Sequence, residues 1–298
     1  MVLITGSSGF VGPYLIKEMK ATGFQVAGTA NTGTADYPLD ITDKKAVAEL
    51  VKKLKPDLIV HLAGFSSVKE SFKNPELCMK VNVQGTGNLL DAVKEYVPGA
   101  RILIISSSEV YGNTKNHPTK ESEKLNPQSP YAESRVVQEQ LVKDSGLNWV
   151  ISRSFNHIGP GQPQGFVASD FASQIAKINK DKQASRVIYV GNLSAQRDFS
   201  DVRDVVAAYR LLLTEGKLHN IYNVSSGKAI RIENLLKKLL KFSKVKIEIK
   251  VDKDKLKPIE VKKTQGDNSK LKKELNWRPK VSIDKTLKDI YQNWLARV

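Results

Sequence analysis

One cysteine, Cys78, stands in 298 residues, which excludes a disulfide framework and a metal site built on thiolates. Histidine is also scarce: His61, His117, His157 and His219, with no pair one helical turn apart to suggest a metal. No apolar run reaches the ~18 residues of a membrane span, and Met1 leads directly into a strand-like segment, leaving no room for a secretory leader. A cytoplasmic protein without a membrane partner is expected. Acidic residues are outnumbered, 31 Asp and Glu against 47 Lys and Arg, for a net charge of +16. Much of the excess lies in 237–263, where lysine is mixed with Asp and Glu and Phe242 is the sole aromatic. Nucleic-acid binders set arginine and aromatic side chains on one face. That pattern is lacking, so no nucleic-acid partner is expected, and the charge suits steering of an anionic small molecule.

What is present is rhythm. Short apolar runs at 2–5, 25–29, 58–62, 102–106 and 149–153 read as strands covered on both faces. Between them, 11–22, 44–54 and 83–95 place apolar residues at helical spacing. This predicts an α/β fold with a doubly wound parallel sheet, which binds ligands beyond the carboxyl ends of its strands. After Arg153 the rhythm changes: 156–165 reads as a loop, 167–178 as a helix and 221–224 as a strand returning to the sheet. Helices are expected at 232–240, 269–273 and 282–295. The expected division is a dinucleotide domain of 1–155 with about 191–226, and a smaller discontinuous substrate domain of 156–190 and 227–298.

The first strand runs into Gly6-Ser7-Ser8-Gly9-Phe10-Val11-Gly12. The first glycine permits the tight turn, the second admits the pyrophosphate, and the third lets helix pack on strand. Gly6, Ser8, Gly9, Phe10, Val11 and Gly12 are therefore candidate cofactor residues, with the phosphates at the helix N-terminus. Asn31 ends the second strand, where a carboxylate would select NAD and a basic group NADP; both NADP(H) and NAD(H) stay open. Asp40 and Ile41 suit the adenine edge, and Leu62, Ala63 and Gly64 should pass close to the cofactor.

Ser107 ends the fourth strand, and Tyr131 opens the next helix in Tyr-Ala-Glu-Ser-Arg135. A phenol can protonate a carbonyl oxygen at working pH when a nearby cation lowers its pKa from about 10. Ser107 would hold the same oxygen, and Arg135 would supply the cation and bond the cofactor ribose.

At these residues the chain resembles the extended short-chain dehydrogenase/reductases that act on sugar nucleotides. Asn82-Val83-x-Gly85-Thr86-x-Asn88-Leu89-Leu90 and the terminal Gly266-Asp267-Asn268-Ser269-Lys270 match as well. The run 153–167 looks like the GDP-4-dehydro-6-deoxy-D-mannose reductases, and 191–198 is similar to a stretch these share with GDP-mannose 4,6-dehydratases. The resemblance implies a Rossmann sheet, a GDP-sugar substrate contacted by Asn156, Arg197, Lys257 and Glu260, a homodimer, and reduction of a 4-keto group to give GDP-D-rhamnose. It also implies Glu109 as a base or as a group orienting a substrate hydroxyl. Two departures stand out: Arg135 occupies the position of a lysine, and Lys257 that of an arginine. A redox-neutral dehydratase or epimerase and a non-catalytic binding protein are the rival readings.

Overall fold

A computed structural model describes residues 1–181, 183–256 and 261–298. In chain order its first half reads β1 (Val2–Thr5), α1 (Gly12–Ala21), β2 (Val26–Ala30), β3 (Tyr37–Pro38), α2 (Lys44–Leu54), β4 (Leu58–His61), α3 (Val68–Lys73), α4 (Pro75–Met79), α5 (Gly85–Tyr96), β5 (Arg101–Ser107), α6 (Pro130–Asp144) and β6 (Asn148–Ser154). The second half adds β7 (Asn156–Ile158), α7 (Val167–Lys180), β8 (Val187–Val190), β9 (Gln196–Asp201), α8 (Val202–Thr214), β10 (Asn220–Val224), β11 (Ala229–Arg231), α9 (Ile232–Leu240), β12 (Glu248–Val251), α10 (Ser269–Leu275) and α11 (Ile283–Leu295).

The central sheet is a seven-stranded Rossmann-type sheet in the order β10-β6-β5-β4-β1-β2-β3, every pairing parallel. All four residues of β1 are buried because helices cover both faces. On one face Leu15 and Met19 of α1 meet Val205, Tyr209 and Leu212 of α8. On the other, Val47 and Val51 of α2 pack with Leu89 and Val93 of α5. Each such side chain contributes roughly 1.5–3 kcal/mol on burial. Strand order reverses between β1 and β4, so the crevice beyond their carboxyl ends is where such a sheet takes its ligand. The glycine segment and Leu62-Ala63-Gly64 both begin there.

A third cluster, formed by Phe171 and Ile175 of α7, Leu235 and Leu239 of α9, and Ile290 of α11, builds the smaller region. Here the structure departs from the sequence reading. The expected loop 156–165 opens with β7, which pairs in parallel with β9. Three residues are too few for a period-2 pattern to register. The helix expected to start at Val83 starts at Gly85, because Lys80–Gln84 forms one wider π-type turn before it. Lys257 and Glu260 lie outside the described residues.

Candidate active site

The glycine segment is shaped by contacts that no side chain could survive. Gly6 has φ +69, and a Cβ there would lie 2.6 Å from the Ala63 nitrogen. A Cβ on Gly12 would reach 2.0 Å from Ser7 O. Ser7 N donates to Thr29 O (2.8 Å), and Gly9 N and Gly12 N close successive turns. No side chain caps α1, so its first N–H groups and dipole favour an anion. This open cradle fits the pyrophosphate of NADP(H) or NAD(H). Ser8 Oγ donates to Thr32 O (2.6 Å), fastening the segment after exposed Asn31 over the loop. Asp36, which sequence reading passed over, is a carboxylate near this edge; it accepts from Gly28 N at 2.7 Å. Asp40 closes a turn on Thr42, and buried Ile41 packs against Gly85. Leu62 N reaches Thr5 O, and Ala63 N reaches Thr5 Oγ1.

Tyr131 sits in the first turn of α6, where Pro130 is at the helix start and Ser129 caps Ala132 N at 3.1 Å. Its own N–H donates to Ser71 Oγ of α3. Ser107 Oγ accepts from Glu109 N (3.2 Å), turning the chain into a short 3-10 turn that leaves Glu109 half-buried. Arg135, one helical turn after Tyr131, lays its guanidinium 5.2 Å from the phenol ring centroid. Nη1 donates to Ile105 O (3.1 Å) and Gln138 Oε1 (2.9 Å), and Nη2 to Phe65 O (3.3 Å). Nε is buried without a partner. Gly64 makes room for this cation: a Cβ there would stand 2.7 Å from Nη2. Three of the five donors are thus already engaged by the protein, leaving Nε and one Nη2 hydrogen for any ribose contact.

Buried polar side chains surround this cation; sequence reading gave them no role, although Asn82 and Thr86 stand in a motif that carries the resemblance. Asn82 accepts from Phe65 N (2.7 Å) and donates to Ser134 Oγ (2.9 Å), tying the segment after β4 to α6. His61 lies between Thr5 Oγ1 and Thr86 Oγ1. Burial, and then the charge of Arg135, pull its pKa down to about 3, so it is neutral. Spacing offered a signal, since Asn82–Thr86 and Arg135–Gln138 are each one turn apart on a helix.

That histidine sets a pH dependence. Its folded pKa is depressed below the unfolded value near 6.5, so the unfolded chain binds the extra proton between the two. The stability it protects is present above about pH 6.5 and is lost as pH falls toward 3, at on the order of 1 kcal/mol per pH unit. Melting curves from pH 7.5 to 5.5 should therefore fall more steeply for the native chain than for His61→Gln. Parallel curves would remove His61 as the cause.

Asn156 and Arg197 come together on neighbouring strands, β7 and β9, two positions apart in register. Arg197 is buried and its Nη1 donates to Gln196 O. Next to it, Asp198 accepts from Ser226 N and Oγ, Gly227 N and Gly266 N, anchoring β9. Burial pushes that carboxyl up to about 6, against the pull of these donors.

Among the described residues no group of His, Cys, Asp and Glu is placed to hold a metal, and no helix is long and apolar enough to cross a membrane. Known proteins resemble this chain along its whole length. GDP-6-deoxy-D-mannose reductase of Pseudomonas aeruginosa is 35% identical, over 100% of this chain and 98% of its own. Among solved structures, RMD from the same organism complexed with NADPH superposes with a TM-score of 0.89 at 33% identity, covering 100% of this chain and 99% of that one. UDP-glucose 4-epimerase of Thermus thermophilus, in complex with NAD, follows at 0.87 and 27%, with 100% and 99% covered. The family model described as GDP-mannose 4,6 dehydratase matches residues 3–290, so the chain belongs to that family of extended short-chain dehydrogenase/reductases.

Proposed function

We propose that the protein reduces the 4-keto group of a GDP-4-dehydro-6-deoxyhexose to an alcohol, forming GDP-D-rhamnose. The observation that carries this reading is the full-length likeness to GDP-6-deoxy-D-mannose reductase. Bound NADPH or NADH supplies the hydride for C4. Tyr131 gives the proton to the carbonyl oxygen, Ser107 holds that oxygen by a hydrogen bond, and Arg135 keeps a positive charge against the phenol. Glu109 orients a sugar hydroxyl, while Asn156, Arg197, Lys257 and Glu260 hold the nucleotide diphosphate and its sugar. Residues 1–155 with 191–226 bind the cofactor, and 156–190 with 227–298 close the substrate side. The net charge of +16 draws the anionic substrate in.

The chain acts as a homodimer built on α5 and α6, the helices that contain Asn88 and Tyr131; on α6 and the adjoining α3 and α4, Phe72, Leu77, Met79, Val137 and Leu141 are exposed. Apolar side chains gathered on packed helices mark an association surface. Light scattering at micromolar concentration that reads a monomer would refute it.

The test of function is incubation with a panel of nucleotide 4-keto-6-deoxysugars and NADPH or NADH. Stoichiometric loss of reduced cofactor with the GDP sugar supports the reductase. Conversion of a GDP or UDP sugar with no net cofactor oxidation establishes the redox-neutral alternative instead. Tight cofactor binding without any turnover marks a binding protein.

A further inference from the structure

Gln138 lies one turn beyond Arg135 on α6 and is fully buried. Its Oε1 accepts from Arg135 Nη1 at 2.9 Å, and its Nε2 donates to Thr86 Oγ1 at 2.8 Å. Thr86 Oγ1 gives its hydrogen to Asn82 O at 2.6 Å. It therefore meets His61 Nε2, 3.0 Å away, as an acceptor. His61 Nδ1 is left to accept from Thr5 Oγ1 at 2.8 Å. From the guanidinium, an unbroken line of hydrogen bonds through neutral side chains runs to the end of β1, where the glycine segment begins.

A lysine ammonium is a compact charge whose effect barely depends on rotation, whereas a guanidinium is a plane with donors fixed in a fork. An arginine in this position must be turned correctly to serve. Ile105 O and Phe65 O are backbone oxygens that would accept from any cation within reach. Gln138 Oε1 is the side-chain acceptor in the set, and its own orientation is fixed by Thr86. Without it the second Nη1 hydrogen has no partner, and Nε is already unpaired.

We propose that Gln138 is a positioning residue that sets the plane of the Arg135 guanidinium, and that Arg135 and Gln138 work as a pair where a lysine would need no such partner. The inference rests on the reading of Tyr131 and Arg135 as proton donor and cation. A double-mutant cycle tests it. Gln138→Met has similar length and removes both hydrogen bonds. It should lower kcat about tenfold with KM for the sugar nucleotide little changed, whereas Gln138→Glu, which keeps the acceptor, should restore most of the rate. Combined with Arg135→Lys, Gln138→Met should cost less than about twofold. Equal losses in both backgrounds would mean a merely structural glutamine and overturn the proposal.

A second readout needs neither substrate nor cofactor. In nitrogen-15 arginine spectra, the Arg135 Nη1 and Nη2 signals, assigned by their disappearance in Arg135→Lys, should be resolved in the native protein and merged by free rotation in Gln138→Met. Signals that stay resolved in Gln138→Met sink the positioning role. A native protein that turns over no GDP keto sugar yet shows the merging keeps it, and discards only the reductase reading.

Discussion

Tyr131→Phe should lose between about 10²- and 10⁴-fold in kcat, the range that a positioned general acid contributes. That corresponds to roughly 3–5 kcal/mol of barrier. The substitution is clean because the ring keeps its place: the cap from Ser129, the bond from the Tyr131 N–H to Ser71 and the face under the Arg135 guanidinium involve no phenol oxygen. Affinity for NADPH, measured by quenching of nicotinamide fluorescence, should hardly change, and KM for the sugar nucleotide should stay within a few fold. A loss confined to kcat identifies an interaction made in the transition state. Ser107→Ala should cost less, since one donor to the same oxygen is removed while the proton source remains. If Tyr131→Phe retains most of its turnover, the proton comes from elsewhere and the site is wrongly built.

The parts of this site that sequence reveals are those whose physics is local. Gly6, Gly9 and Gly12 are legible because a turn between strand and helix imposes its own spacing, and at Gly6 and Gly12 the packed structure adds the distances that forbid a Cβ. The strands of the central sheet other than the two-residue edge strand β3 are legible because burial on both faces leaves continuous apolar runs. What surrounds Arg135 was not legible. Charged and amide side chains are ordinarily assigned to solvent, yet α6 buries Ser134, Arg135, Gln138 and Glu139 together. Their partners outside α6 come from the segment after β4, from α4, from the turn before α5, and from α5, β5 and β6, at sequence separations that no periodicity encodes. The arginine could be seen as a departure from a lysine, and spacing sets Gln138 one turn away, but the burial of that amide and its bond to Thr86 emerge only when the helix is packed.

The neighbour of Gln138 carries the largest expected effect on stability. Glu139 is fully buried and meets Arg153 of β6 in a fork, Nη2 to Oε2 at 2.7 Å and Nε to Oε1 at 2.9 Å. Ser106 Oγ adds a third bond to Oε1 at 2.7 Å. Burial alone would lift the carboxyl, but Arg153 and Ser106 outweigh it and hold it below the usual carboxylate range. Arg153 also lies over the Tyr111 ring and donates to its hydroxyl, which bonds Asn223 of β10. Glu139→Ala leaves that guanidinium buried without its counter-charge, a loss of about 3–5 kcal/mol. At roughly 2–4 °C per kcal/mol for a chain of this size, the melting midpoint should drop by on the order of 10 °C. Removing both charges with Glu139→Met and Arg153→Met should recover a good part of the drop, because no lone ion is then stranded. Ser106 adjoins Ser107, and Arg153 stands three residues before Asn156, so the pair also stiffens the frame on which both sides of the crevice are mounted. Well below the melting point, kcat of Glu139→Ala should fall far less than that of Tyr131→Phe, since Glu139 touches neither substrate nor cofactor. A midpoint within 2 or 3 °C of the native value would mean that water reaches the pair, and that the hydrogen bonds between α6 and β6 are not what holds Ser107 in place.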